Sequence, residues 1–124
     1  MMPSRKILMV EDDPDQVLMY EMELTKAGFN VFTAKCGSEA FAIIKKEKPD
    51  LVFLDLLLGP EKGRDILAAI KADKEMKKTK VIILSNFNQK DLPAIVRKEG
   101  AFDFLNKSEY IPKEVAAKAK EYLK

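Results

Sequence analysis

A carboxylate inside an apolar run has to answer for its charge. Asp55 interrupts the stretch Leu51-Val52-Phe53-Leu54-Asp55-Leu56-Leu57-Leu58, and an unpaired charge in an apolar interior is expensive. Its neighbours read as a strand covered on both faces, which puts Asp55 where the strand leaves its sheet, the edge at which open parallel sheets bind ligands. Other polar groups close comparable runs: Glu11 and Asp12 after residues 6–10, Ser85 at the end of 80–85, and Lys107 just beyond 101–105. Three carboxylates brought into one cleft repel, so either their pKa values rise or a cation sits among them. An all-oxygen set with positions left to water suits Mg2+. An aspartate beside Mg2+, a lysine and a hydroxyl is equipped to accept a phosphoryl group, because that transfer depends on positioning and on neutralising the equatorial oxygens.

The elements that must position these groups follow from spacing. After the strand at 6–10, Asp13 can cap a helix and Pro14 suits its first position; Val17, Leu18, Met22 and Leu24 recur at helical spacing through 14–27, and Gly28 marks the stop. Residues 29–34 favour a second strand, Gly37-Ser38-Glu39 opens a helix with Phe41, Ile43 and Ile44 inward, and Pro49 closes it. The central strand ends at Asp55, a loop holds Gly59, Pro60 and Gly63, and Ile66, Leu67 and Ile70 mark the next helix. A fourth strand spans 80–85, a short helix 92–98 carries Pro93 in its first turn, a fifth strand spans 101–105, and a last helix runs from about 112 to 123. Five strand–helix units predict an α/β fold, a parallel sheet wrapped by helices on both faces with right-handed crossovers.

Composition narrows the chemistry. A chain of 124 residues is read as one domain over residues 1–124, with no room for a second module. Histidine is absent, which rules out Ser-His and Cys-His catalysis and histidine-ligated metals, and the single cysteine, Cys36, rules out an internal disulfide. A net charge of +2 with scattered lysines argues against a nucleic-acid partner. The apolar runs fall far short of a membrane span and no signal-like segment opens the chain, so no membrane association and a cytoplasmic location are expected.

With these residues in view, the sequence resembles the response-regulator receiver domain, of the stand-alone chemotaxis-regulator type. The resemblance lies in Lys6-Ile7-Leu8-Met9-Val10-Glu11-Asp12-Asp13-Pro14, Pro49-Asp50-Leu51-Val52-Phe53-Leu54-Asp55, Val81-Ile82-Ile83-Leu84-Ser85 and Gly100-Ala101-Phe102-Asp103-Phe104-Leu105-Asn106-Lys107, and covers essentially the whole chain. It implies a flavodoxin-like doubly wound (βα)5 sandwich of five parallel strands in the order 2-1-3-4-5. It implies Asp55 as the phosphoacceptor served by a sensor histidine kinase or phosphotransfer protein. Mg2+ would be held by Asp12 and Asp55 directly, by Glu11 through water and by the backbone carbonyl of Leu57. Ser85 matches the switch hydroxyl, Lys107 the lysine that pairs with the phosphoryl group, and Phe104 the aromatic switch, with a plain core role for Phe104 as its alternative. Asp13, one place outside the acidic pair, is left as the helix cap. Output would pass to a downstream protein through the face of helix four, strand five and helix five, because no effector domain follows Lys124. The chain would be a monomer or a phosphorylation-dependent homodimer, and not an enzyme beyond its own phosphorylation and dephosphorylation.

Several positions depart from the family pattern. Ser108 stands where a cis proline usually follows the lysine, and a non-proline cis bond costs about 3–4 kcal/mol; a trans loop puts the reach of Lys107 in question. Gly59 replaces the usual proline after Asp55, with Pro60 one place later, and Asn86 stands where a small residue follows the switch hydroxyl, crowding the phosphoryl site or adding a donor. Leu57 and Phe87 are apolar at positions flanking the attacking water's path, which suggests that they shield an acyl phosphate. Two rivals stand beside this reading. One is a degenerate receiver acting as a protein-binding module without phosphorylation. The other is a phosphatase of the haloacid-dehalogenase type, which would want its nucleophile after strand one and a cap domain for which there is no room.

Overall fold

The computed structural model describes residues 4–87 and 89–124. In chain order the first half holds β1 (Lys6–Val10), α1 (Pro14–Lys26), β2 (Asn30–Ala34), α2 (Gly37–Glu47), β3 (Leu51–Leu54), β4 (Leu57–Leu58) and β5 (Glu61–Lys62). The second half holds α3 (Gly63–Ala72), β6 (Lys80–Ser85), α4 (Leu92–Lys98), β7 (Asp103–Asn106) and α5 (Pro112–Tyr122). Five strands pair in parallel in the order β2-β1-β3-β6-β7, which is the expected 2-1-3-4-5 once the small strands β4 and β5 are set aside.

The side-chain period of two sorts the sheet into two cores. Leu8, Val10, Val52, Leu54, Val81 and Ile83 face α2, α3 and α4, where Ile44, Ile66, Leu67, Ile70 and Val96 meet them. Ile7, Met9, Leu51, Phe53, Ile82 and Leu84 face α1 and α5, packing on Tyr20, Leu24, Val115 and Ala119. Both faces are covered, so the central strands have no polar side and read as unbroken apolar runs.

Three local expectations change. Helical spacing marked Val17, Leu18, Met22 and Leu24 on α1; Leu24 is buried, with Tyr20 beside it, but Leu18 and Met22 are 55% and 54% exposed. The stretch after Asp55, expected as a loop, folds into the antiparallel hairpin β4–β5, turning at Gly59 (φ +62), a left-handed conformation that glycine adopts without strain. Gly63 closes it: its amide donates to the Leu56 carbonyl at 2.9 Å, and a Cβ there would overlap the Asp55 carbonyl oxygen. The fifth strand begins at Asp103 rather than at 101, although the Phe102 amide already donates to the Val81 carbonyl at 2.7 Å. Asp13 caps α1 as expected, its Oδ1 accepting the Asp15 amide at 3.0 Å and the Gln16 amide at 3.4 Å. No peptide bond among the described residues is cis, so Lys107 and Ser108 are joined in trans.

Candidate functional site

The parallel ladder runs past the strand ends and carries the polar groups with it. Glu11 donates its amide to the Ala34 carbonyl at 3.0 Å, Asp55 to Val10 at 3.1 Å, and Lys107 to Ser85 at 2.8 Å. These bonds fix Glu11, Asp55, Ser85 and Lys107 along one edge of the sheet. Lys107 then reaches back across it: Nζ lies 2.7 Å from Glu11 Oε2, 2.7 Å from Asp55 Oδ2 and 2.6 Å from Gln16 Oε1. A trans bond before Ser108 therefore does not keep the lysine from Asp55. The other Asp55 oxygen, Oδ1, accepts the Leu57 amide at 3.2 Å, and Glu11 Oε1 accepts the Asp13 amide at 3.3 Å.

This cluster is dry. Glu11 is 2% exposed, Asp55 8%, and the Lys107 side chain 7%. Two carboxylates face one ammonium, so one negative charge is left unbalanced out of water. Burial pushes the Glu11 carboxyl up to about 7; its hydrogen bond to Asp55 adds to this, and Lys107 opposes it. Burial alone would lower the Lys107 ammonium, but its bonds to the Asp55 and Glu11 carboxylates outweigh that and hold it above the usual lysine range.

The remaining candidates surround the cluster without joining it. Asp12 is exposed, outside the buried cluster of Glu11, Asp55 and Lys107. Its Oδ2 lies toward the hairpin, 3.7 Å from where a Cβ on Gly59 would stand. Ser85 is buried and its Oγ accepts the Phe87 amide at 3.3 Å, while among the described residues no acceptor takes the hydroxyl proton. Phe104 is half-buried against the α2–α3–α4 core, Asn86 is exposed, and Leu57 and Phe87 stand 57% and 40% exposed at the rim.

Among the described residues no three acidic or cysteine side chains gather into a ready metal cage. The donors that do meet still suit a hard divalent cation, which needs only one or two carboxylates and keeps several waters. Two buried carboxylates already accommodate a positive charge here. Because the Gly63 amide bonds Leu56, the facing residues Leu57 and Lys62 form a pair without hydrogen bonds, and the Leu57 carbonyl is not consumed by the hairpin. Gln16 was not foreseen. A glutamine in the first turn of a helix carries no local signal, and its contact with Lys107 spans 91 residues.

The family model for the response regulator receiver domain matches residues 7–119. The alkaline phosphatase synthesis transcriptional regulatory protein PhoP of Bacillus subtilis is 30% identical over 121 residues, covering 98% of this chain and 49% of its own, so the chain spans about half the length of that relative. A response regulator from Thermotoga maritima superposes with TM-score 0.82 at 32% identity, covering 96% of this chain and 97% of the other. The phosphorylated cyanobacterial phytochrome response regulator RcpA superposes with TM-score 0.81 at 26% identity, covering 97% and 94%.

Proposed function

The chain belongs to the response regulator receiver domain family, and on that footing we propose that residues 1–124 form one receiver domain, a phosphorylation-dependent switch in a two-component phosphorelay, with Asp55 accepting a phosphoryl group from a histidine kinase or phosphotransfer protein. Phosphorylation-dependent switching is the general role of this family. The observation that carries the assignment to Asp55 is the Lys107 ammonium 2.7 Å from its Oδ2 at the carboxyl edge of the sheet.

In this reading an Asp55 oxygen attacks phosphorus while the bond to the donor's imidazole nitrogen breaks, its electron pair staying on that nitrogen. Receiver domains generally bind Mg2+, which offsets charge on the transferring oxygens; Glu11, Asp12, Asp55 and the Leu57 carbonyl are the groups that would hold it. Lys107 shifts from a carboxylate oxygen to a phosphoryl oxygen, and Ser85 donates its hydroxyl proton to another. Asn86 offers a further donor at the rim. Phe104 fills the space Ser85 leaves, and the added charge thereby biases the face of α4, β7 and α5 toward binding a downstream protein in the cytoplasm, as a monomer or a phosphorylation-dependent dimer. The chemistry is limited to the domain's own phosphorylation and dephosphorylation.

Intact mass after incubation with Mg2+ and a small acyl-phosphate donor tests this. The parent gains one phosphoryl mass and the Asp55→Asn variant none; a parent that stays unmodified while a control receiver reacts overturns the assignment. A second reading, a binding module that is not phosphorylated, is favoured by Asn86 standing where a small residue is usual beside the phosphoryl site, and failure of Mg2+ to bind in a titration would select it. Leu57 and Phe87 flank the acceptor as apolar shields. Replacing both with asparagine speeds loss of the phosphoryl group, and an unchanged decay rate removes them from that role.

A further inference from the structure

Among the described residues three acceptors meet the Lys107 ammonium, and of these Gln16 alone cannot ionise. A lysine ammonium has three protons, so Glu11, Asp55 and Gln16 together use its full donor capacity. The Gln16 amide is itself held in orientation. Its Nε2 donates to Asp13 Oδ2 at 3.2 Å, and Asp13 is fixed in turn by accepting the first amides of α1. Flipping the amide would set its NH2 group against the ammonium, donor against donor, so the oxygen faces Lys107. A continuous set of contacts thus runs from the capped start of α1 through Gln16 to the ammonium beside Asp55.

The setting gives that contact a task. Lys107 leaves β7 through a trans bond to Ser108, and its long side chain lets the acceptors decide where the ammonium rests. Glu11 and Asp55 are carboxylates, and the Asp55 oxygen that becomes esterified stops being one. Gln16 keeps the same acceptor before and after. We propose that Gln16 is a positioning residue for phosphoryl transfer, holding the Lys107 ammonium at Asp55 through the change of charge that phosphorylation brings. The proposal rests on Asp55 being the phosphoacceptor.

Two measurements on Gln16→Met, which keeps length and removes the acceptor, test it. The first is the rate of phosphorylation by the acyl-phosphate donor, across donor concentrations, in the parent and in a Lys107→Met background. Loss of one charge-assisted hydrogen bond slows the saturating rate about tenfold, leaves the half-saturating donor concentration unchanged, and has no further effect once Lys107 is gone. Equal slowing in both backgrounds, or none in either, overturns the proposal. The second is the nitrogen-15 signal of the Lys107 ammonium, read without donor or metal. It is protected from water exchange in the parent and loses that protection in Gln16→Met; retained protection overturns the proposal. A parent that is not phosphorylated defeats the phosphoacceptor reading, while the ammonium signal still reports whether Gln16 holds Lys107.

Discussion

Two aspartates in this molecule each sit between a cation and a second partner, at nearly the same distances, to different effect. Asp55 meets Lys107 at 2.7 Å beneath a covered edge where the lysine side chain is 7% exposed. Asp103 meets Arg97 of α4 at 2.6 Å and the Tyr122 hydroxyl of α5 at 2.6 Å, but there Arg97 is 51% exposed. Geometry alone would rank the two alike. Solvent separates them: an exposed ion pair is screened and contributes little, whereas a buried cluster couples strongly and leaves its neighbours stranded if one member goes. The first suits a switch and the second a clasp that ties α4 and α5 to β7.

The largest contrast is expected on removing each cation. Lys107→Met strands the buried Asp55 charge beside Glu11 and costs about 3–5 kcal/mol of stability in urea unfolding at neutral pH. Arg97→Met costs at most about 1 kcal/mol, because solvent replaces much of what it gave. Equal losses would erase the distinction.

The pH dependence sharpens it, since the two carboxyls shift in opposite directions. Glu11, beside Asp55, is pushed by burial from 4.5 to about 7. Between those values the folded chain holds a proton that the unfolded chain has lost, so stability of the metal-free protein falls as pH rises through that window, by roughly 3 kcal/mol in all. Burial would raise Asp103 as well, but the Arg97 and Tyr122 hydrogen bonds outweigh it and hold that carboxyl below its usual value. Its smaller contribution is present above the unfolded carboxyl's pKa and is lost as pH falls through the folded one. Chemical denaturation of the metal-free protein at pH 4.5, 6 and 7.5, repeated on Glu11→Gln, checks the first sign; a flat profile in the parent contradicts it.

What could be read from the residues alone divides along the same line. Asp55, Glu11, Ser85 and Lys107 announced themselves because a polar group ending an apolar strand is a local pattern, and parallel pairing brings strand ends to one edge. Asp13 and Pro14 stated the start of α1 by cap chemistry. Gln16, Tyr122 and Arg97 gave no such signal: each is an ordinary helix residue whose role depends on which strand end it meets after folding. Asp12 lies exposed beside the buried Glu11, a difference in burial that two adjacent acidic residues do not announce in the sequence. The β4–β5 hairpin was missed because its strands are two residues each, too short for any period to show.

The central claim is that charge at Asp55 reaches the α4–β7–α5 face through Ser85, Lys107 and Phe104. Its most direct test is the amide spectrum of the Mg2+-loaded protein before and after addition of beryllofluoride, which caps a carboxylate as a tetrahedral stand-in for a phosphoryl group. The expected result is that Ser85 and Lys107 shift together with Phe104 and the amides of α4, and that none shifts in Asp55→Asn. Shifts confined to the residues around Asp55, with Phe104 and α4 unmoved, would contradict it.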